Sequence, residues 1–142
     1  MRHRRPTRRA GGRPTRLLAD HGTWQLDHRP ESAGDARRIG RRFLRDLHLG
    51  EETVHVALLA ISELVTNAIE HGLPPLQLHL RHDPTARQIW IEATDGGPAP
   101  RTGPCAAPRH DDEHGRGLTL VAAVSEAHGT RGTTRWARLT TG

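Results

Sequence analysis

Residues 63–71 read Glu-Leu-Val-Thr-Asn-Ala-Ile-Glu-His, and they close a longer run with a helical phase. Ala57, Ile61, Leu64, Val65 and Ala68 fall on one apolar stripe, which predicts an amphipathic helix over about 51–71. Gly72 and Pro74 stop it. Glu63, Asn67 and His71 recur every fourth residue and so line one face beside the stripe. A carboxylate and an amide oxygen placed this way can serve one Mg2+–phosphate centre, because Mg2+ takes few protein oxygens and keeps its phosphates and waters. Taken alone, such a pair is ordinary surface decoration.

Upstream of this helix, Trp24, Leu26 and His28 alternate with polar residues and predict a strand at about 23–28, broken by Pro30. Ser32 is placed to cap a helix carrying Ala36, Ile39, Phe43, Leu44 and Leu47, which Gly50 closes. Arg37, Arg38, Arg41 and Arg42 on that helix read as a solvated face or, more sharply, as a docking surface. Downstream, Leu76, Leu78 and Leu80 alternate with Gln77, His79 and Arg81. Residues 83–86 make a turn, and Ile89 and Ile91 alternate into a strand that runs to Asp95, so the two strands form a hairpin. Residues 96–114, with four prolines, form an irregular segment long enough to be a lid. A helix then starts at Gly115, carries Leu118, Leu120, Val121 and Val124, and ends at Gly129. A final strand at about 133–140 holds Trp136 and Leu139; Trp24, Trp90 and Trp136 read as core or half-buried sheet residues. This order describes an α+β two-layer sandwich with helices on one face of a mixed β-sheet. It lacks the steady strand–helix alternation of a doubly wound fold.

The chain has 142 residues, room for one compact domain, and 34% of them are apolar. No run approaches the ~18 apolar residues of a membrane span, and the N-terminus lacks the apolar stretch of a secretory signal. The single cysteine excludes a disulfide framework and suits a reducing cytosol, so a cytoplasmic location is expected. Charge is uneven. Residues 1–16 hold seven arginines and no acid, whereas residues 17–142 hold fourteen arginines and sixteen acids. Residues 1–22 therefore read as an Arg-rich disordered tail and 23–142 as the domain. Direct nucleic-acid binding can rest on that tail alone, since the body offers no basic face with interleaved aromatics. His110 and His114 flank three acids in the lid, which reads as a solvated segment and not a metal site, and Cys105 reads as a free thiol.

Two further segments carry chemistry. Asp95-Gly96-Gly97-Pro98 ends a strand; its carboxylate can accept from an adenine amino group, and its glycines let a flat ring come close. Gly115-Arg116-Gly117-Leu118 opens a helix, where free backbone N–H groups bind phosphate and Arg116 can add charge. In joint order and spacing, the three segments resemble the GHKL ATPase superfamily, with its histidine-kinase-like Bergerat fold. More closely they resemble the anti-sigma factor/serine-protein kinase family, in its actinobacterial single-domain form. The resemblance covers about residues 23–140: ELVTNAIEHG matches the family's Asn box, DGG its first glycine box, GRGL its second, and GTTRWARL its closing strand.

That resemblance implies ATP and Mg2+ as cofactors. It implies that Glu63 is the general base, that Asn67 ligates Mg2+, and that Asp95 recognises adenine beside Gly97. Gly115, Arg116, Gly117 and Leu118 would hold the phosphates, and Thr134 would sit near the adenine. It implies an anti-sigma regulator that phosphorylates a serine of a STAS-type anti-anti-sigma antagonist and sequesters a sigma factor, with a homodimer possible. The departure is Ala99, flanked by Pro98 and Pro100, where the fuller box has its last glycine. A stiffer lid entry leaves a second reading open, a non-catalytic ATP- or ADP-binding module.

Overall fold

The computed structural model describes residues 20–100 and 120–141. Its elements are β1 (Asp20–Leu26), α1 (Ser32–Arg45), α2 (Glu51–His71), β2 (Leu76–Asp83), β3 (Gln88–Thr94), β4 (Ala127–Arg131) and β5 (Thr134–Thr140). A helical stretch at 120–124 precedes β4. The strands form one sheet in the order β1-β2-β3-β5-β4, and the helices pack on one face of it, as the α+β reading expects.

Every pairing among these strands is antiparallel, a correction to the mixed sheet that the element order suggests. Two helices, not one, connect β1 to β2. Joined by a short link and packed on each other, they return the chain to the end where β1 finished, so β2 descends beside it. β3 and β4 do run in the same sense, but β5 lies between them and no parallel pair results.

The core is the meeting of two periodicities. From the sheet come Trp24, Leu26, Leu76, Leu78, Leu80, Ile89, Ile91, Ala137 and Leu139, alternate residues of their strands, all buried. From α2 comes the whole expected stripe, Ala57, Ile61, Leu64, Val65 and Ala68, and from α1 Ala36 and Leu44. By length and composition α2 could cross a membrane, but its stripe is spent on this core. On the open face of the sheet, Trp90 stands between its register neighbours Arg81 and Arg138, whose guanidinium carbons lie 5.0 and 5.5 Å from its ring centre.

Four local expectations change. β1 begins at Asp20, inside the stretch assigned to the tail, and stops at Leu26, which frees His28. Ser32 is the buried first residue of α1 and not its cap; its hydroxyl donates back to the Asp27 carbonyl at 2.5 Å. α1 ends at Arg45, the chain turns through His48 in a left-handed conformation (φ 56°), and Gly50 instead caps the start of α2. Gly129 does not stop a helix: it lies within β4, an edge strand that the pattern AHGTR does not announce.

Candidate functional site

Three backbone segments converge beyond the C-terminal end of α2. The first is the exit from the helix, residues 71–75; the second follows β3, residues 95–99; the third opens β5 at 133–134. They are stitched by main-chain hydrogen bonds. Leu73 N–H donates to the Gly97 carbonyl (2.8 Å), Gly96 N–H to Leu73 (2.6 Å), Ala99 N–H to His71 (2.9 Å) and Asp95 N–H to Thr133 (3.1 Å). Gly72 and Pro98 pair as an isolated antiparallel bridge. A strand end that would otherwise be a loose loop is thereby fixed to the helix that carries Glu63 and Asn67.

Glycine makes this stitching possible. A Cβ on Gly72 would collide with Asp95 Oδ2 and the Ala68 carbonyl, and one on Gly96 with the Pro74 carbonyl. Gly97 sits at φ 113°, a conformation that side chains oppose, and its N–H turns back to Asp95 Oδ1 at 2.8 Å. One carboxylate oxygen of Asp95 is thus held by its own turn while the other lies over Gly72, where no described group donates to it. His28 Nε2–H donates to the Gly72 carbonyl at 2.8 Å and pins the junction from the β1 side.

Asn67 is one helical turn before His71 and only 7% exposed. Its Nδ2 is buried without a hydrogen-bond partner. Leaving such a group unmade costs about 1–3 kcal/mol, so the amide is set for a partner that the described chain does not supply. An amide offers both a donor and an acceptor oxygen, and the latter is the kind of ligand Mg2+ takes from proteins. Glu63 lies one turn further back, half-buried, with no ion pair to another described residue. The unpartnered Nδ2 suits a phosphate oxygen, and the amide oxygen and the Glu63 carboxylate are of the oxygen type that Mg2+ takes, so these residue types are compatible with a magnesium–phosphate group. Thr134 opens β5 opposite Thr94, and their hydroxyl oxygens are 2.7 Å apart, next to Asp95.

Of the residues singled out in the sequence, Asp95, Gly97 and Thr134 lie on this stitched platform, with Asn67 and Glu63 on the helix that leads into it. Gly115, Arg116, Gly117 and Leu118 lie outside the described residues, as do Cys105, His110 and His114. Sequence reasoning missed Thr94, His28 and the second duty of Gly72. His28 carried a signal, since it follows Leu26 at strand spacing. The others depend on contacts across the fold that no local pattern records.

The family description that matches the chain is the histidine kinase-like ATPase domain, over residues 26–140. Among curated proteins none matches. Among solved structures, one similar chain is the crystal structure of the RsbU and RsbW domains of Rv1364c from Mycobacterium tuberculosis. The TM-score is 0.61 and the identity 19%, over 86% of this chain and 31% of that one. That likeness is one of fold, and the present chain spans less than a third of its length.

Proposed function

Because the chain belongs to the histidine kinase-like ATPase family, we propose that it binds Mg-ATP on the platform above α2 and acts as an anti-sigma regulator with protein-serine kinase activity. The observation that carries the reading is the buried, unpartnered amide of Asn67 on the helix that leads into the Asp95 turn. In this reading Asp95, steadied by the Gly97 amide, accepts from the adenine amino group, and Gly97 leaves the ring room. Thr134, with its hydroxyl beside that of Thr94, borders the same ring. Asn67 holds the metal through its side-chain oxygen. Magnesium, when bound, neutralises phosphate charge that develops during transfer. Gly115, Arg116, Gly117 and Leu118 complete the phosphate side.

In the proposed transfer the acceptor serine oxygen bonds to the terminal phosphorus as the bond to the bridging oxygen breaks. ADP leaves, and the hydroxyl proton passes to Glu63. The acceptor is a STAS-type antagonist, and a sigma factor is the competing partner. A cytoplasmic setting and a homodimer belong to the same proposal, as does a domain that begins with β1 at Asp20 behind an Arg-rich tail.

One observation favours the second reading, a nucleotide-binding module without transfer. The entry to the lid is tied down by the Gly72–Pro98 bridge and the Ala99–His71 hydrogen bond. Incubation with Mg-ATP and candidate STAS-type proteins separates the two. Phosphoserine that disappears in Glu63→Ala supports the kinase. Tight nucleotide binding with no phosphoserine on any acceptor supports the module. Calorimetry that detects no heat with any adenine nucleotide and magnesium rejects both.

A further inference from the structure

A stripe on α1 takes no part in the platform. Arg38, Arg41, Arg42 and Arg45 are all exposed and spaced i, i+3, i+4, i+7, on the side of the helix opposite buried Ala36, Gly40 and Leu44. Arg38 pairs with Asp35, and neighbouring Arg37 donates to Ser62 on α2 at 2.9 Å. Arg41, Arg42 and Arg45 make no ion pair or hydrogen bond with another described residue. The stripe also concentrates the charge of the body. α1 holds five arginines and one acid, while the rest of residues 17–142 holds nine arginines and fifteen acids. Like charges at these spacings repel, a cost offset only in part by the Arg38–Asp35 pair and by the placement of Arg42 and Arg45 in the last turn of the helix.

We propose that this stripe is a docking surface for a partner protein that presents an acidic helical face. The guanidinium fork matches a carboxylate two bonds at a time, and carboxylates at helical spacing would meet the four arginines in register. The limits of the stripe select this partner over an extended polyanion. It runs for about 10 Å, between Glu31 and Asp35 at one end of α1 and Asp46, the C-cap residue, at the other. A nucleic-acid backbone or an anionic membrane extends past that length and meets those acids, whereas a short acidic face fits between them. No exposed aromatic lies on α1 for a base to stack on; its one ring, Phe43, packs edge-on against Trp24.

No contact that forms the platform involves a residue of the stripe, so the proposal does not require nucleotide. Its test uses the full chain without nucleotide, and a fluorescent helical peptide with glutamates at i, i+3, i+4 and i+7. Alongside it run a scrambled peptide of the same composition, a random DNA duplex and phosphatidylserine vesicles. Anisotropy is expected to show the patterned peptide binding more tightly than the scrambled one. The affinity should fall roughly tenfold or more in the triple variant Arg41→Glu, Arg42→Glu, Arg45→Glu, and by less in the matching glutamine variant. Reversing Arg4, Arg5, Arg8 and Arg9, or making Asn67→Ala, should leave it unchanged. Circular dichroism confirms that each variant is folded. Equal binding of the scrambled peptide, a loss that follows the tail variant, or tighter binding of duplex or vesicle through α1 overturns the proposal. So does self-association that the triple variant abolishes.

Discussion

At Asn67, the cost of an unpaired amide and the benefit of a bound ligand are separable. Replacing it by alanine removes a buried NH2 group that has no partner among the described residues but leaves a cavity, and the two effects oppose each other, so the ligand-free protein should change in stability by no more than about 1 kcal/mol. If the proposed site holds, Mg-ATP is expected to raise the melting temperature of the native chain, and the same change should abolish that rise. A thermal-shift titration of both proteins reads the two effects together, and a retained shift would remove Asn67 from the site. Gly72 behaves in the opposite way, because a methyl there must displace the Asp95 carboxylate and press on the Ala68 carbonyl. Gly72→Ala is expected to cost about 1–3 kcal/mol in urea unfolding, as overpacking does, and to lose the nucleotide response as well. Gly34→Ala in α1 is the control. A Cβ there meets only the end of Arg37, and helix propensity favours alanine by up to about 1 kcal/mol.

Elements were legible where one period and one burial face coincide. α2 was readable to its ends because its stripe is buried in full and Gly72 closes it. β2 and β3 were readable because Leu76, Leu78, Leu80, Ile89 and Ile91 alternate strictly. The end of α1 was not, since the turn that closes it uses His48, a residue with no glycine's signature. β4 was invisible for a different reason. Its side chains face either solvent or a neighbouring ring, so it has no apolar alternation, and Gly129 looks like punctuation. Its true role is to lie under Trp136 of β5, where a Cβ would come 3.0 Å from the indole. Gly129→Val must push that ring away and is expected to lower stability by about 1–3 kcal/mol, measurable by urea unfolding with tryptophan fluorescence. An unchanged midpoint would show that the ring moves freely. For the candidate site, the placement of Glu63 and Asn67 on one helix and of Asp95 and Gly97 just past a strand end was legible from spacing. The stitching of 71–75 to 95–99 was not, because it consists of main-chain bonds between segments distant in sequence.

Across the whole molecule, the helical layer carries the positive stripe, while histidines collect on the β1–β2 side of the sheet. Two of them are held below the ordinary histidine pKa of 6.5. His79, stacked on His21 with ring centres 6.0 Å apart and 2.7 Å from the Thr23 hydroxyl, is lowered mainly by burial. Glu92 across the ladder opposes that shift, while His21 and Arg81 add to it. His82 is lowered by burial too, against the pull of Asp20 and Asp83. A group with a depressed folded pKa is neutral in both states well above 6.5, where stability is complete. As the pH falls below 6.5, the unfolded chain takes up protons first, and stability drains away until the folded pKa is passed. The urea midpoint should therefore fall between pH 7.5 and pH 5.5. His79→Gln removes one of the two titrating groups and keeps a hydrogen-bonding side chain near Thr23, so it should flatten that fall without abolishing it. If the native midpoint is the same at both pH values, or if His79→Gln leaves the slope untouched, burial at the β1–β2 pair does not govern the acid response of this fold.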